Sequence, residues 1–130
     1  MPPAAVFALG HVFCESVAGV SVIEHSTYAH FHWGMAATTR PNRILLAGAG
    51  ADFVQQPELV LHEYFHVVRQ WRTGRLTRWR YLCAWGRCGY WGNPFEQEAR
   101  DFAAHQLVHF QRLLEDARAT RGAPPAGSAN

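Results

Sequence analysis

The stretch Pro57-Glu58-Leu59-Val60-Leu61-His62-Glu63-Tyr64-Phe65-His66-Val67-Val68-Arg69-Gln70-Trp71-Arg72 has the features of one amphipathic helix. Proline presets the backbone of a first helical residue, Glu58 beside it favours the positive helix end, and Gly74 supplies a stop. At about 100° per residue, Val60, Leu61, Tyr64, Phe65, Val67, Val68 and Trp71 share one broad face. His62, Glu63, His66, Arg69 and Gln70 fall on the other, with Leu59 the only large apolar residue among them. A helix over 57–72 is therefore expected, its back buried and its histidine side open to a cleft.

The centre of that stretch is HExxH. Histidines four apart stand one above the other on a helix, so both imidazoles can reach one cation, and zinc accepts neutral imidazole nitrogen. Glu63 is rotated about 100° from His62, close enough to meet a bound water but badly placed to be a ligand. With 8 histidines and 7 glutamates in 130 residues, chance placement gives roughly 0.03 matches to this pattern. The plain alternative is a pair of helix-surface histidines flanking an unrelated glutamate. A third ligand must come from elsewhere. A histidine six residues after His66, with a glycine before it, would complete one known arrangement, but those positions hold Arg72 and Arg69. The other solution is a glutamate on a later helix, and Asn93-Pro94-Phe95-Glu96-Gln97-Glu98-Ala99 opens one, with asparagine as cap and proline in the first turn. Ala99, Ala103, Leu107, Phe110 and Leu114 lie within about 60° of Glu96, which heads a buried stripe whose alanines allow two helices to approach closely. Glu98 lies about 160° away, on the face of Asp101, His105 and His109. One zinc ion per chain, held by His62, His66 and Glu96, is the expectation.

Outward from this site, 130 residues are the size of one domain. Hydrophobic residues at 48% against 17% charged exclude a wholly disordered chain, and no apolar run reaches the length of a membrane span. The start, MPPAAVFALGHVF, has no basic leader segment, so no secretory signal is expected and the expected location is the cytoplasm. Residues 1–50 read as strand and turn. Val20 to Ile23 alternates, Tyr28 to Trp33 is aromatic enough for a strand, with a short helix as the alternative, and Arg40-Pro41-Asn42-Arg43 turns a hairpin between Ala36 and Ala49. Residues 73–93, with Gly74, Gly86, Gly89 and Gly92, show no period and read as a long loop. The last helix is expected to end near Ala117. The domain is expected over 1–120, with 121–130 as a disordered tail. Cys14, Cys83 and Cys88 are an odd set, expected as free thiols, with a local Cys83–Cys88 bridge as the alternative.

HEYFH followed after a connecting segment by Glu96-Gln97-Glu98-Ala99 resembles the gluzincin-type zinc metallopeptidases. The chain is similar in particular to the compact metallopeptidase domains associated with bacterial contractile injection systems. The positions that carry this likeness are Ala37-Thr38-Thr39, Ile44-Leu45-Leu46, Leu61 and Val67-Val68-Arg69-Gln70. The resemblance implies an α+β, zincin-like fold: a small twisted sheet or hairpin, an HExxH helix, and a C-terminal helix carrying the third ligand. It also implies peptide-bond hydrolysis of a peptide or protein substrate, with Glu63 as general base towards metal-activated water. Tyr90 and His32 are candidates to steady the oxyanion. The arm at Ile44 could offer a sheet edge to an extended peptide.

Two readings from other classes stand beside this one. A zincin-like module without catalysis would use the metal only as a staple. A nucleic-acid-associated module would use residues 69–91, where arginines alternate with tryptophans and no acid occurs; Arg75, Arg78 and Arg80 are its candidate contacts. All twelve basic residues are arginine, and the net charge is only +2, too mild to imply nucleic acid by itself.

Overall fold

The computed structural model describes residues 1–31 and 36–122. Among them the chain is α+β, mostly helical with a small mixed sheet of three strands. In chain order the elements are α1 (Pro3–Phe13), β1 (Ser21–Ile23), α2 (Thr27–Phe31), β2 (Ala37–Arg40), β3 (Arg43–Leu46), α3 (Gly50–Val54) and α4 (Pro57–Phe65). A π-helical segment (His66–Trp71), α5 (Arg78–Cys88) and α6 (Pro94–Gly122) complete it.

The hairpin forms where the sequence places it. Asn42 at φ 55° takes the left-handed conformation that asparagine tolerates, and β2 and β3 pair antiparallel with Thr39 opposite Ile44. β1 pairs parallel to β3, with Val22 opposite Ile44, so β3 is central, the Ile44 arm does not offer the expected sheet edge, and β2 lies at an edge. Ile44 and Leu46 point into the core while Thr38 and Arg40 are only partly covered, the alternation of a half-buried sheet.

The core lies between this sheet, α1, α4 and α6. Leu9, Phe13, Ile44, Leu61, Tyr64, Val67 and Phe110 are nearly all fully buried, and each large apolar side chain so placed contributes roughly 1.5–3 kcal/mol. α6 packs on both α4 and α1. Its buried residues are Glu96, Ala99, Ala103, Phe110, Leu114 and Ala117, so the stripe headed by Glu96 faces inward.

Four expectations are corrected. Residues 1–50 are not only strand and turn: α1 fills Pro3–Phe13, with Ala4, Ala5, Ala8, Leu9 and Phe13 buried. Three of those five are alanines, which gain burial only because α6 packs against them. Tyr28 lies in α2, the short helix that is the alternative to a strand there, and α3 follows the hairpin, anchored by buried Phe53. The helix expected over 57–72 is α only to Phe65; it then widens, and the Arg72 amide donates to the Val67 carbonyl at 3.0 Å, five residues back. The segment 73–93 is not a loop throughout, because α5 occupies Arg78–Cys88. Thr77 caps its start by accepting from the Arg80 amide at 3.2 Å, and Gly89 at φ 67° ends it. α6 continues to Gly122, beyond Ala117 and two residues into the expected tail; residues 123–130 lie outside the described ones.

Candidate metal centre

His62 closes the last turn of α4, His66 opens the π-helical segment, and Glu96 lies in the first turn of α6. The close packing of α4 against α6 brings the three together. Ala99 and Ala103, fully buried one and two turns beyond Glu96, leave room for that approach. The capping side chain of Asn93 accepts from the Phe95 amide at 3.0 Å and sets where α6 begins, hence where Glu96 points.

The donor atoms converge. His62 Nε2 is 3.0 Å from Glu96 Oε2, His66 Nε2 is 3.3 Å from the same oxygen, and the two Nε2 atoms are 3.1 Å apart. His66 and Glu96 are buried, while His62 keeps 12% of its side chain exposed, so the cluster is reached from one side only. One buried carboxylate with two imidazoles is a donor set that could hold a metal ion.

Burial by itself would raise the Glu96 carboxyl, but hydrogen bonds from His62 and His66 outweigh it and hold the group well below the usual carboxylate range. Burial opposes the charged form of His66, yet bonding to Glu96 prevails and raises it. Glu63 is pushed up by burial, against the pull of His66 and His62. It lines the same cavity and, among the described residues, makes no hydrogen bond. Its carboxylate is thus buried beside the donor cluster with its proton-accepting capacity unspent.

Two further groups steady the cluster, and neither was expected. The Tyr81 hydroxyl donates to Glu96 Oε1 at 2.9 Å, leaving Oε2 to face the histidines; burial, then Glu96, pushes its phenol far up. Tyr81 lies on α5, in a segment that reads as loop, so its helical spacing with Leu82 and Trp85 goes unused. Gln70, fully buried, has Oε1 2.7 Å from His66 Nδ1, while its Nε2 donates to the Phe95 carbonyl at 3.0 Å and to Glu98 Oε2 at 3.2 Å. The signal for Gln70 was present: it stands four residues after His66 on the same face.

Glu98 does not turn towards Asp101 and His105. It takes a two-pronged pair from Arg75, at 2.9 and 3.0 Å, which with Gln70 lowers its carboxyl. Arg80 is also engaged, donating to the carbonyls of Gly74 and Arg75. Arg78 instead lines the cavity of the cluster, together with Arg40. Tyr90 lines an adjoining groove that shares His62 and Glu63. Its phenol is pushed up to about 12 by burial and then by Glu96, although the short hydroxyl bond to Glu96 belongs to Tyr81. His32 lies outside the described residues. Cys14, Cys83 and Cys88 are free thiols.

In comparisons with known proteins, the chain matches no family model, no curated protein and no solved structure. Among the described residues, no helix is long and apolar enough to cross a membrane.

Proposed function

We propose that the protein is a zinc-dependent peptidase of zincin type, in which His62, His66 and Glu96 hold the metal and Glu63 is the general base. One observation carries this reading: three donors converge on a single point beside a buried carboxylate that bonds to nothing else. Donors around a tetrahedral zinc with bonds of about 2.0–2.1 Å lie about 3.3 Å apart. The separations of 3.0, 3.1 and 3.3 Å are close to that triangle.

When bound, zinc supplies a polarising charge for the substrate carbonyl and lowers the pKa of a water molecule towards neutrality. Glu63 takes the proton of the attacking water and passes it to the amine that leaves, so the base ends each turnover as it began. Glu96 places its charge beside the imidazoles, steadied by Tyr81. Tyr90 remains the candidate donor to the developing oxyanion. The free edge of β2, whose residues Ala37 to Arg40 line the cavity, offers backbone N–H and C=O groups to an extended peptide.

Nucleic-acid binding is the weaker proposal. Trp79 and Trp91, 75% and 76% exposed, favour it, but Arg75 and Arg80 are engaged within the chain. Metal analysis of the purified protein, paired with hydrolysis of a casein digest, tests the peptidase reading. About one zinc per chain is expected, and Glu63→Gln should keep the metal while losing about 100-fold or more in rate. Protein free of transition metal, or undiminished hydrolysis by Glu63→Gln, would overturn it.

A further inference from the structure

The cluster stands where two unlike arms of one cleft meet. The arms share Ala37, His62, Glu63, Tyr81 and Leu82. One arm continues to Arg40 and Arg78; the other continues to Leu59, Trp85 and Trp91, with Glu58 and Arg100 of opposite charge also on its walls. Two elements form walls common to both, and they change character in the same sense. Along β2, Ala37 borders both arms and Arg40 only the first. Along α5, Arg78 borders the first arm, Tyr81 and Leu82 border both, and Trp85 borders the second. Three strand steps from Ala37 to Arg40 and seven helix steps from Arg78 to Trp85 each cover about 10 Å. That is the reach of three residues of extended peptide, with the metal centre between the cationic and the apolar end.

The cationic end is unneutralised. Among the described residues neither Arg40 nor Arg78 takes part in an ion pair. The carboxylates of the cavity, Glu63 and Glu96, belong to the metal centre. Arg40 is held by the Tyr28 hydroxyl and lies 4.7 Å over the Tyr28 ring, which fixes one side of its guanidinium and leaves other N–H groups for a ligand. Burial and, secondly, the charge of Arg78 lower the Arg40 guanidinium, so the two cations repel and a bound anion would relieve both. At the other end the large exposed side chains are Trp85 at 39% and Trp91 at 76%, with Arg100 5.2 Å over the Trp91 ring.

We propose that this cleft selects peptides that place a carboxylate against Arg40 and Arg78 and a bulky apolar side chain against Leu82, Trp85 and Trp91, on opposite sides of the metal centre. The proposal rests on the peptidase reading above. The carboxylate comes from an aspartate or glutamate side chain or from the peptide's own C-terminus.

Binding and cleavage test it separately. Binding uses the full-length Glu63→Gln protein loaded with zinc and fluorescein-labelled octapeptides carrying Glu and Phe three residues apart, read by anisotropy. The Glu/Phe peptide is expected to bind about tenfold more tightly than its Gln/Phe and Glu/Ser counterparts, the yield of one good charge-assisted pair or one buried ring. Adding Arg78→Glu, a change at an exposed helix start, should abolish the advantage of Glu over Gln and leave the Gln/Phe peptide unaffected; Arg40→Gln should do the same. An advantage of Glu over Gln that survives amidation assigns the side chain, whereas equal binding of the Glu and Gln peptides that weakens on amidation and in the arginine variants assigns the terminal carboxylate. Affinity indifferent both to Glu against Gln and to amidation, an effect of either carboxylate that survives both arginine changes, or tighter binding of oligo-dT than of any peptide would overturn the proposal. Cleavage by the unaltered protein then separates the two claims. Hydrolysis of all three peptides at one rate sinks the selectivity and leaves the peptidase standing, while selective binding without hydrolysis upholds the cleft and sinks the peptidase.

Discussion

Gln70 decides more of the centre than a neutral amide ordinarily would. Its Nε2 faces two acceptors, the Phe95 carbonyl and Glu98, so the oxygen end of the amide must be the one turned to His66. His66 Nδ1 then carries the proton and donates to Gln70 Oε1, which leaves the lone pair on Nε2, the atom beside Glu96 and His62. Arg75 holds Glu98 from the far side, so the orientation of one imidazole is passed down a chain of four side chains. Gln70→Ala should therefore weaken zinc affinity about 10- to 100-fold without touching a ligand. Glu98→Ala should weaken it less, because the Phe95 carbonyl still fixes the amide. Glu96→Ala should lose the metal outright. Competition against a chromogenic chelator ranks the three, and equal affinity of Gln70→Ala and the unaltered protein would remove Gln70 from the chain.

Among the elements, α6 is the one whose sequence shows its placement most openly. It buries a stripe at the helical period over more than 20 residues, from Glu96 to Ala117, and that repetition is visible without a structure. The convergence of Glu96 with His62 and His66 follows from the same stripe and from their spacing on α4. α5 is missed although its cleft-facing residues Arg78, Tyr81, Leu82 and Trp85 recur at helical spacing, because none of its residues is buried and its arginines and Gly86 read as loop. α1 is hidden for a related reason, three of its five buried residues being alanines, too small to mark a stripe by themselves. The widening at His66 leaves no mark in residue type, although the spacing of Gln70, four residues after His66, was legible. The stripe also makes a prediction. Ala103 is 1% exposed in the contact face of α6, so Ala103→Leu must force the helices apart or strain its own rotamer, at about 1–3 kcal/mol. Denaturant unfolding should show that loss; an unchanged or higher midpoint would mean that a gap lies beside α6.

At the scale of the whole molecule, the cluster joins α4 to a helix whose Glu96 is 30 and 34 residues further along the chain than the two histidines, and a bound metal would act there as a cross-brace in a small core. Its effect depends on pH in a direction the charges fix. In the metal-free protein His66 is raised above its ordinary 6.5, so the folded state holds that proton more tightly than the unfolded chain does. This contribution is complete below pH 6.5 and disappears as pH rises through the raised value. Glu96, lowered from 4.5, contributes above 4.5 and loses its contribution only as pH falls through its lowered value. Charging the buried Glu63, whose carboxyl is raised, costs further stability as pH climbs from 4.5. Metal-free protein should therefore weaken between pH 6 and 8. Zinc requires the unprotonated imidazoles, so its affinity rises over the same interval, and free zinc at 100 times Kd adds about 3 kcal/mol. The difference in Tm between zinc-loaded and chelated protein should accordingly widen steadily from pH 5 to pH 8. A constant difference would mean that the metal is held by groups that do not titrate in this range, and that His62 and His66 are not its ligands.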